Sequence, residues 1–242
     1  MLEGKVVIIT GSASGIGRFV AKTFAQERAA VIVADIKPLD NVAGELEALE
    51  VDHLEVPTDV QDESAARNLI DKALDRFGRI DVLVNNAAIV THFQWGLPQW
   101  PRIRDMDRSF WDRVIGTNLG GTFNCTKAVL PTMEAQRSGH IVSTMGGTGS
   151  IGGSPYGVSK DAIRSFTRYV GIEEREFDIC AVAVSPGAQI ATEEAPEEAR
   201  ARMPGPDFVG NRFVLAAQAP MELSGKLLTV EDGRLVVSNR LG

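Results

Sequence analysis

Cysteine is scarce in this chain: Cys125 and Cys180 are the only two among 242 residues, and they lie far apart. So few, in no metal-like spacing, exclude a disulfide-stapled scaffold and read as buried free thiols in a reducing cytoplasm. Histidine is equally sparse. His53, His92 and His140 are scattered, His53 reading as a solvated loop residue, so no metal site is expected. An excess of positive charge is also missing. Lys and Arg number 25 against 32 Asp and Glu, a net charge of -7 with no basic stripe. That argues against a partner of nucleic acid or anionic membrane. Apolar runs stop far short of the roughly 18 residues of a membrane span, and the first is too short for a signal-peptide core. With no repeat, composition break or linker, the length suits one domain over residues 1–242 with a large core.

What is present is organised around VVIITGSASGIG, Val6 to Gly17. Four β-favouring residues, Val6 to Ile9, read as a strand buried on both faces, as in a parallel sheet. Gly11, Gly15 and Gly17 then punctuate a tight turn into a helix from about Ile16 to Arg28. Glycine suits a loop where a diphosphate approaches the main chain, and the helix would turn its free amides toward that phosphate. The next apolar run, Val31 to Ala34, ends on Asp35, close to the roughly 20-residue offset at which a nucleotide-binding βαβ unit places an acid on the adenine ribose. A carboxylate there accepts from both ribose hydroxyls of NAD and repels the extra phosphate of NADP, so the expected cofactor is NAD. Helix patterns over Asn41 to Glu50 and Ser64 to Phe77, the second stopped by Gly78, separate short strands at Leu54 to Val56 and Asp81 to Val84. Strands alternating with helices of this length predict right-handed crossovers and a parallel sheet covered on both faces.

Five separated motifs occur in order: TGSASGIG at Thr10 to Gly17, Asp35, Asp59 with Val60, NNAA at Asn85 to Ala88, and Tyr156 with Lys160. Together they resemble the classical short-chain dehydrogenase/reductase family, from Gly4 to about Gly233. The resemblance implies an α/β fold, a Rossmann-type doubly wound parallel sheet of about seven strands with helices on both faces, assembled as a homotetramer or dimer. It implies that Gly11, Ser14, Gly15, Ile16, Gly17, Asp35 and Ile36 hold the cofactor, that Asp59 bonds the adenine amino group, and that Val60 packs beside that ring. Asn86, Ala87 and Ala88 would line the cofactor's ribose, Ala88 standing where the family usually has glycine. Pro186 and Gly187 would form the turn under the nicotinamide. Ile190 would follow toward the carboxamide, with Thr192 one residue later than usual.

Tyr156 and Lys160 are four apart in YGVSK, so on a helix they share a face. A free tyrosine keeps its proton to about pH 10, and a nearby ammonium favours the phenolate. Tyr156 would therefore exchange the alcohol proton while hydride moves between the same carbon and the nicotinamide, and by resemblance Lys160 would also hold the nicotinamide ribose. A long helix from Asp107 to about Gln136 carries Asn118, a poor residue for a helix interior. The resemblance implies that Asn118 kinks that helix and binds a water in a proton relay ending at Lys160. Gly120 and Gly121 would permit close packing against a neighbouring helix.

The chain departs from the pattern at the family's catalytic serine. Aligning the strand Gly139 to Gly147 puts that position at Gly146, and counting back from Tyr156 gives Ser143. The strand register is preferred because gaps fall more readily in loops. Ser143, Thr144, Thr148 and Ser150 are the candidate substitutes. Thr91 to Arg104 resembles an insertion whose Trp95 and Trp100 either pack a long loop or line the substrate pocket, while Trp111 reads as a core residue. Ile179 to Val184 and Lys226 to Val230 read as the last strands. The short acidic segment Thr192 to Pro206 takes the place of a substrate lid and suggests an open pocket for a bulky substrate. Two functions follow: an NAD-dependent alcohol dehydrogenase or ketoreductase acting on a small-molecule secondary alcohol or ketone whose identity the sequence does not encode, or a catalytically weak NAD-binding sensor or scaffold. Asn118, Tyr156 and Lys160 together favour the enzyme; Gly146 favours the alternative.

Overall fold

Val6–Thr10 form β1, buried at all five positions, because both faces of this strand are covered. Val7 and Ile9 join one apolar layer, Val6 and Ile8 the other, as the two-residue period of a strand requires. The computed structural model describes residues 2–90, 101–146, 153–187, 190–193, 197–203 and 205–238. In chain order the elements are β1, α1 (Gly15–Gln26), β2 (Ala30–Asp35), α2 (Asp40–Glu47), β3 (His53–Pro57), α3 (Glu63–Phe77) and β4 (Val82–Asn85). They continue with α4 (Arg108–Ile115), α5 (Gly121–Gln136), β5 (Gly139–Thr144), α6 (Ser154–Glu173), β6 (Ile179–Val184), α7 (Glu197–Arg200), α8 (Asp207–Ala216), β7 (Leu227–Glu231) and β8 (Arg234–Val237).

The strands form one sheet in the order β3-β2-β1-β4-β5-β6-β7-β8. Val7 lies opposite Val31 of β2 on one side and Val82 of β4 on the other, both in parallel register. The order reverses between β1 and β4, and a doubly wound sheet binds ligands in the crevice at the carboxyl ends of such a switch point. Both the glycine loop after β1 and the NNAA segment after β4 open there. Phe24 of α1, Leu46 of α2 and Phe213 of α8 cover one face; Leu69 of α3 and Val129 and Met133 of α5 cover the other. α3 is bounded as its sequence dictates. Asp62 caps it by accepting from the Ser64 and Ala65 amides, and Gly78 ends it in the left-handed conformation at φ 72°.

The expected parallel sheet is present, β1 to β7 being its seven parallel strands, and the chain beyond Glu231 adds an eighth, β8, antiparallel to β7. Asp232 and Gly233, at φ 47° and 72°, make the Asp-Gly turn that matches strand twist in a two-residue hairpin. The long helix is divided, α4 and α5 being joined by a π-helical turn over Gly116–Gly120. His53 is the first residue of β3 rather than a loop residue, its Nδ1 lying 3.1 Å from the Val51 carbonyl oxygen. No helix among the described residues is long and apolar enough to cross a membrane.

Candidate active site

The glycine loop is packed against the loop after β4. A Cβ on Gly11, itself at φ 66°, would lie 2.6 Å from the Ala87 Cα, and one on Gly17 would collide with the Gly11 carbonyl oxygen. Asn86 ties the two loops together, its Nδ2 donating to the Thr10 and Gly11 carbonyls at 3.1 and 3.0 Å. The amides of Asn86 and Ala87 both donate to Thr10 Oγ1 at 3.1 Å. The result is a fixed backbone concavity at the N-terminus of α1, whose first residue is Gly15 and whose N-cap is Ser14. Ile16 packs from the same turn against the adjoining core.

Asp35 ends β2 beside this cradle. Its carboxylate accepts from the Ala13 amide and from the Lys37 amide, each at 3.0 Å, which fixes its orientation. Ile36 follows with 74% of its surface exposed, an apolar platform at the crevice rim. Asp59 accepts from the Gln61 amide at 2.9 Å, and Val60 is buried under α5. A Cβ on Gly121 would strike Val60, whereas one on Gly120 would meet nothing closer than 3.9 Å. Gly121 thus makes room for the Val60 loop and not for a helix, and Gly120 has no such task. The cradle too tight for a side chain and the oriented carboxylate at the end of β2 fit the diphosphate and ribose of a dinucleotide.

α6 brings Tyr156 and Lys160 beneath the carboxyl end of β5. Lys160 is buried and donates from Nζ to the Thr144 carbonyl at 2.7 Å, and its ammonium stands 5.5 Å from the Tyr156 ring centre. Burial pushes the Lys160 ammonium down to about 8 and the Tyr156 phenol up to about 12. Desolvation penalises phenolate and ammonium alike, so both groups shift toward their neutral forms in the protein without cofactor.

Asn118 lies fully buried in the π-helical turn, an interruption frequent at functional sites. Its Oδ1 accepts from the Ile89 amide at 2.8 Å and its Nδ2 donates to Ser159 Oγ at 3.0 Å. Ser159 Oγ donates in turn to the Tyr156 carbonyl at 2.6 Å. The Asn118 side chain thereby braces the loop after NNAA and the first turn of α6. Ser159, which makes this link, carried no signal in the sequence.

Gly146 lies against Tyr156: a Cβ there would collide with the phenolic oxygen. The strand register therefore identifies the position facing the tyrosine. Of the candidate substitutes, Thr144 Oγ1 donates to Asn86 Oδ1 at 3.3 Å and Ser143 is buried in β5 between β4 and β6. Thr148, Ser150, Trp95, Trp100 and His92 lie outside the described residues. Pro186 and Gly187 follow β6, Gly187 at φ 90° against the Arg212 guanidinium. Ile190 is buried in the layer shared with α1 and α8. Trp111 is half-buried rather than core, and lines an open depression of about 350 Å³ with Ile103, Met106 and Arg108. Cys125 and Cys180 are free, buried thiols pushed up to about 12 and about 11 by burial. One contact had no sequence signal at all: Glu193 Oε1 accepts from the Gly15 amide at 3.0 Å, across 178 positions.

A parallel doubly wound sheet with a glycine cradle at its switch point and a Tyr–Lys pair one strand away defines a class, the dinucleotide-type oxidoreductases. A family model described as short chain dehydrogenase matches residues 5–202, and the chain belongs to the short-chain dehydrogenase/reductase family. It is 36% identical over 253 residues to the 3-oxoacyl-acyl-carrier-protein reductase of Thermotoga maritima, covering 98% of this chain and 99% of that one. It is 32% identical over 249 residues to the cis-4-hydroxycyclohexanecarboxylate dehydrogenase of Sinomonas cyclohexanicum, covering 96% and 97%. The solved structure of a short-chain type dehydrogenase/reductase from Mycobacterium marinum superposes with a TM-score of 0.83 at 27% identity over 96% of each chain. The protein is thus an oxidoreductase of a family that works with nicotinamide dinucleotides.

Proposed function

We propose that the protein is an NAD-dependent dehydrogenase/reductase that interconverts a secondary alcohol and its ketone. The observation that carries this reading is Lys160, buried beside Tyr156 and held by the Thr144 carbonyl at 2.7 Å. An ammonium is costly to bury away from a carboxylate, and such groups gather where chemistry needs them. Gly11, Ser14, Gly15, Ile16 and Gly17 would hold the diphosphate side of the cofactor, and Asp35 and Ile36 its adenosine ribose. Asp59 and Val60 would flank the adenine, Asn86, Ala87 and Ala88 the ribose, Lys160 the nicotinamide ribose, and Pro186, Gly187 and Ile190 the nicotinamide. Asp35 is the reason for choosing NAD over NADP: an oriented carboxylate accepts from two ribose hydroxyls and repels a phosphate.

When bound, the nicotinamide supplies the hydride acceptor or donor. Tyr156 supplies the proton. Its phenol, pushed up to about 12, holds that proton at neutral pH and can deliver it to a carbonyl oxygen in the reducing direction. In the oxidising direction the phenol must first lose its proton to solvent; the phenolate, stabilised by positive charge of which Lys160 is the resident source, would then accept the alcohol proton and return to phenol. Asn118 acts through Ser159 by fixing the turn that carries Tyr156, which makes it a positioning residue. We place the protein in the cytoplasm as a homo-oligomer, a tetramer or dimer. Phe123 on α5 and Tyr169 and Ile172 on α6, 46%, 60% and 60% exposed, support a subunit contact.

The test is a titration with NADH and NADPH followed by a panel of secondary alcohols and ketones, comparing the native protein with Tyr156→Phe. The expected result is tighter binding of NADH and a turnover that Tyr156→Phe lowers by about 10²–10⁴-fold without loss of cofactor binding. Binding with no turnover across the panel would overturn the enzymatic reading.

A further inference from the structure

We propose that Glu193 is a built-in competitor for the cofactor's diphosphate, so that a dinucleotide seats only as this carboxylate leaves the N-terminus of α1. The inference deepens the dinucleotide reading above and rests on it. Glu193 follows Ile190, whose side chain is buried in the layer between α1 and α8, and the Thr192 amide donates to the Ile190 carbonyl at 2.9 Å. A turn anchored this closely delivers the carboxylate to one place. Its Oε1 lies 3.0 Å from the Gly15 amide nitrogen and 3.5 Å from Arg18 Nη1. Arg18 is itself fixed, donating to the two Glu45 oxygens at 3.1 and 2.6 Å.

Gly15 is the first residue of α1, and its amide is one of the few free donors that a phosphate could use at this helix end. One N–H satisfies one strong acceptor. A diphosphate and a carboxylate brought to the same amide would also repel each other at contact distance, a repulsion that the helix dipole, Arg18 and the Lys37 ammonium on Ser14 Oγ offset only in part. The Glu193 side chain is 38% exposed, so its hold is that of a solvated charge-assisted bond, strong enough to compete and weak enough to be displaced. Apparent affinity then falls in proportion to the fraction of molecules in which the carboxylate is away.

The experiment measures binding of ADP-ribose, which carries the diphosphate and no nicotinamide, to the native protein, Glu193→Gln, Glu193→Ala and Glu198→Gln by calorimetry. Glu198, exposed on α7, controls for the change in net charge. Both Glu193 variants are expected to bind about tenfold more tightly than native, and Glu198→Gln as native does. Native-like or weaker binding by the Glu193 variants overturns the competitor, as does equal tightening by Glu198→Gln, which would assign the effect to overall charge. Absence of binding in all four proteins defeats the dinucleotide reading, and the competitor with it.

Discussion

The two ends of the one sheet treat charge in opposite ways. At the amino end, Asp81 precedes β4 with its side chain 6% exposed and every obvious donor aimed at it. Lys5 Nζ donates at 2.9 Å, the Val6 amide at 3.0 Å, and Arg79 through Nε at 2.9 Å and Nη2 at 2.7 Å. Burial pushes the Asp81 carboxyl up, but the bonds from Arg79 and Lys5 outweigh it and hold the group below its ordinary range. At the carboxyl end, Lys160 is buried against a carbonyl oxygen, and burial alone sets it at about 8. Pairing drives a titration away from neutrality; desolvation without pairing drives a lysine toward it. One end is built to stay charged, and the other to respond to what binds beside it.

The sharpest way to break the comparison is to remove the isolated ammonium. Lys160→Met is expected to lower turnover by at least about 10²-fold while the folded protein becomes no less stable at pH 7. The linkage supplies a second readout. With the folded lysine at about 8 and the unfolded one near 10.4, the unfolded lysine binds more protons between those values, so its contribution to native stability rises with pH across that window, by up to about 1.4 kcal/mol per unit. The thiols of Cys125 and Cys180, raised in the fold to about 12 and about 11, act in the opposite sense in native protein and variant alike. In denaturant melts between pH 8 and 10 the stability of native protein relative to Lys160→Met should therefore rise with pH; equal slopes would show that the ammonium is not buried as described.

Asp81→Asn attacks the opposite end. It leaves Lys5 and Arg79 facing a neutral amide, and since both cations are half-exposed and can turn to water the cost is about 1–2 kcal/mol. Turnover per folded molecule should be unchanged. The carboxyl is held low in the fold, so its contribution is present above the unfolded value near 3.9 and is lost as pH falls through the folded one. Acid unfolding monitored by circular dichroism should therefore be steeper in native protein than in Asp81→Asn. A comparable effect is expected at the site itself. Gly146→Ser would install the hydroxyl at the position the family uses, yet its Cβ would collide with the phenolic oxygen of a tyrosine held by burial. Turnover should drop about tenfold, equivalent to about 1.4 kcal/mol; a rise would mean that Tyr156 yields and that the missing serine limits the native enzyme.

What could be read from the sequence was whatever depends on local spacing. The glycines after β1, the acid at the end of β2, the helix-stopping Gly78 and the four-residue step from Tyr156 to Lys160 all lie within one element or one turn. The Asp232–Gly233 hairpin is local too, and the pattern LTVE-DG-RLVV carries its signal, although it reads as a tail when the sheet is assumed to end at seven strands. The contacts that escaped join distant segments. Glu193 meets Gly15 and Ser159 meets Asn118; neither residue type announces its partner. The burial of Tyr156 and Lys160 escaped for another reason. Spacing reveals that an ammonium is near, but how far both groups are taken out of water is decided only by packing.

The amino end of the sheet holds one exception to its own rule, and it provides the finest test. Glu174 sits in the short turn Glu174–Phe177 that leads into β6, and it is buried with its Oε2 lacking any hydrogen-bond partner. Burial, and then the neighbouring charges of Glu134, Glu173 and Glu176, push its carboxyl above the ordinary range. A carboxyl raised in the fold keeps its proton when the unfolded chain has lost one, so native stability declines as pH climbs from the unfolded value near 4.3 through the folded one. Glu174→Gln removes that liability and keeps the shape. It should stabilise the protein by about 1 kcal/mol at pH 7, with the gain vanishing toward pH 4 and turnover untouched. If the gain persisted undiminished at pH 4, the benefit would come from packing rather than charge, and Glu174 would cease to be the unpaired counterpart of Asp81.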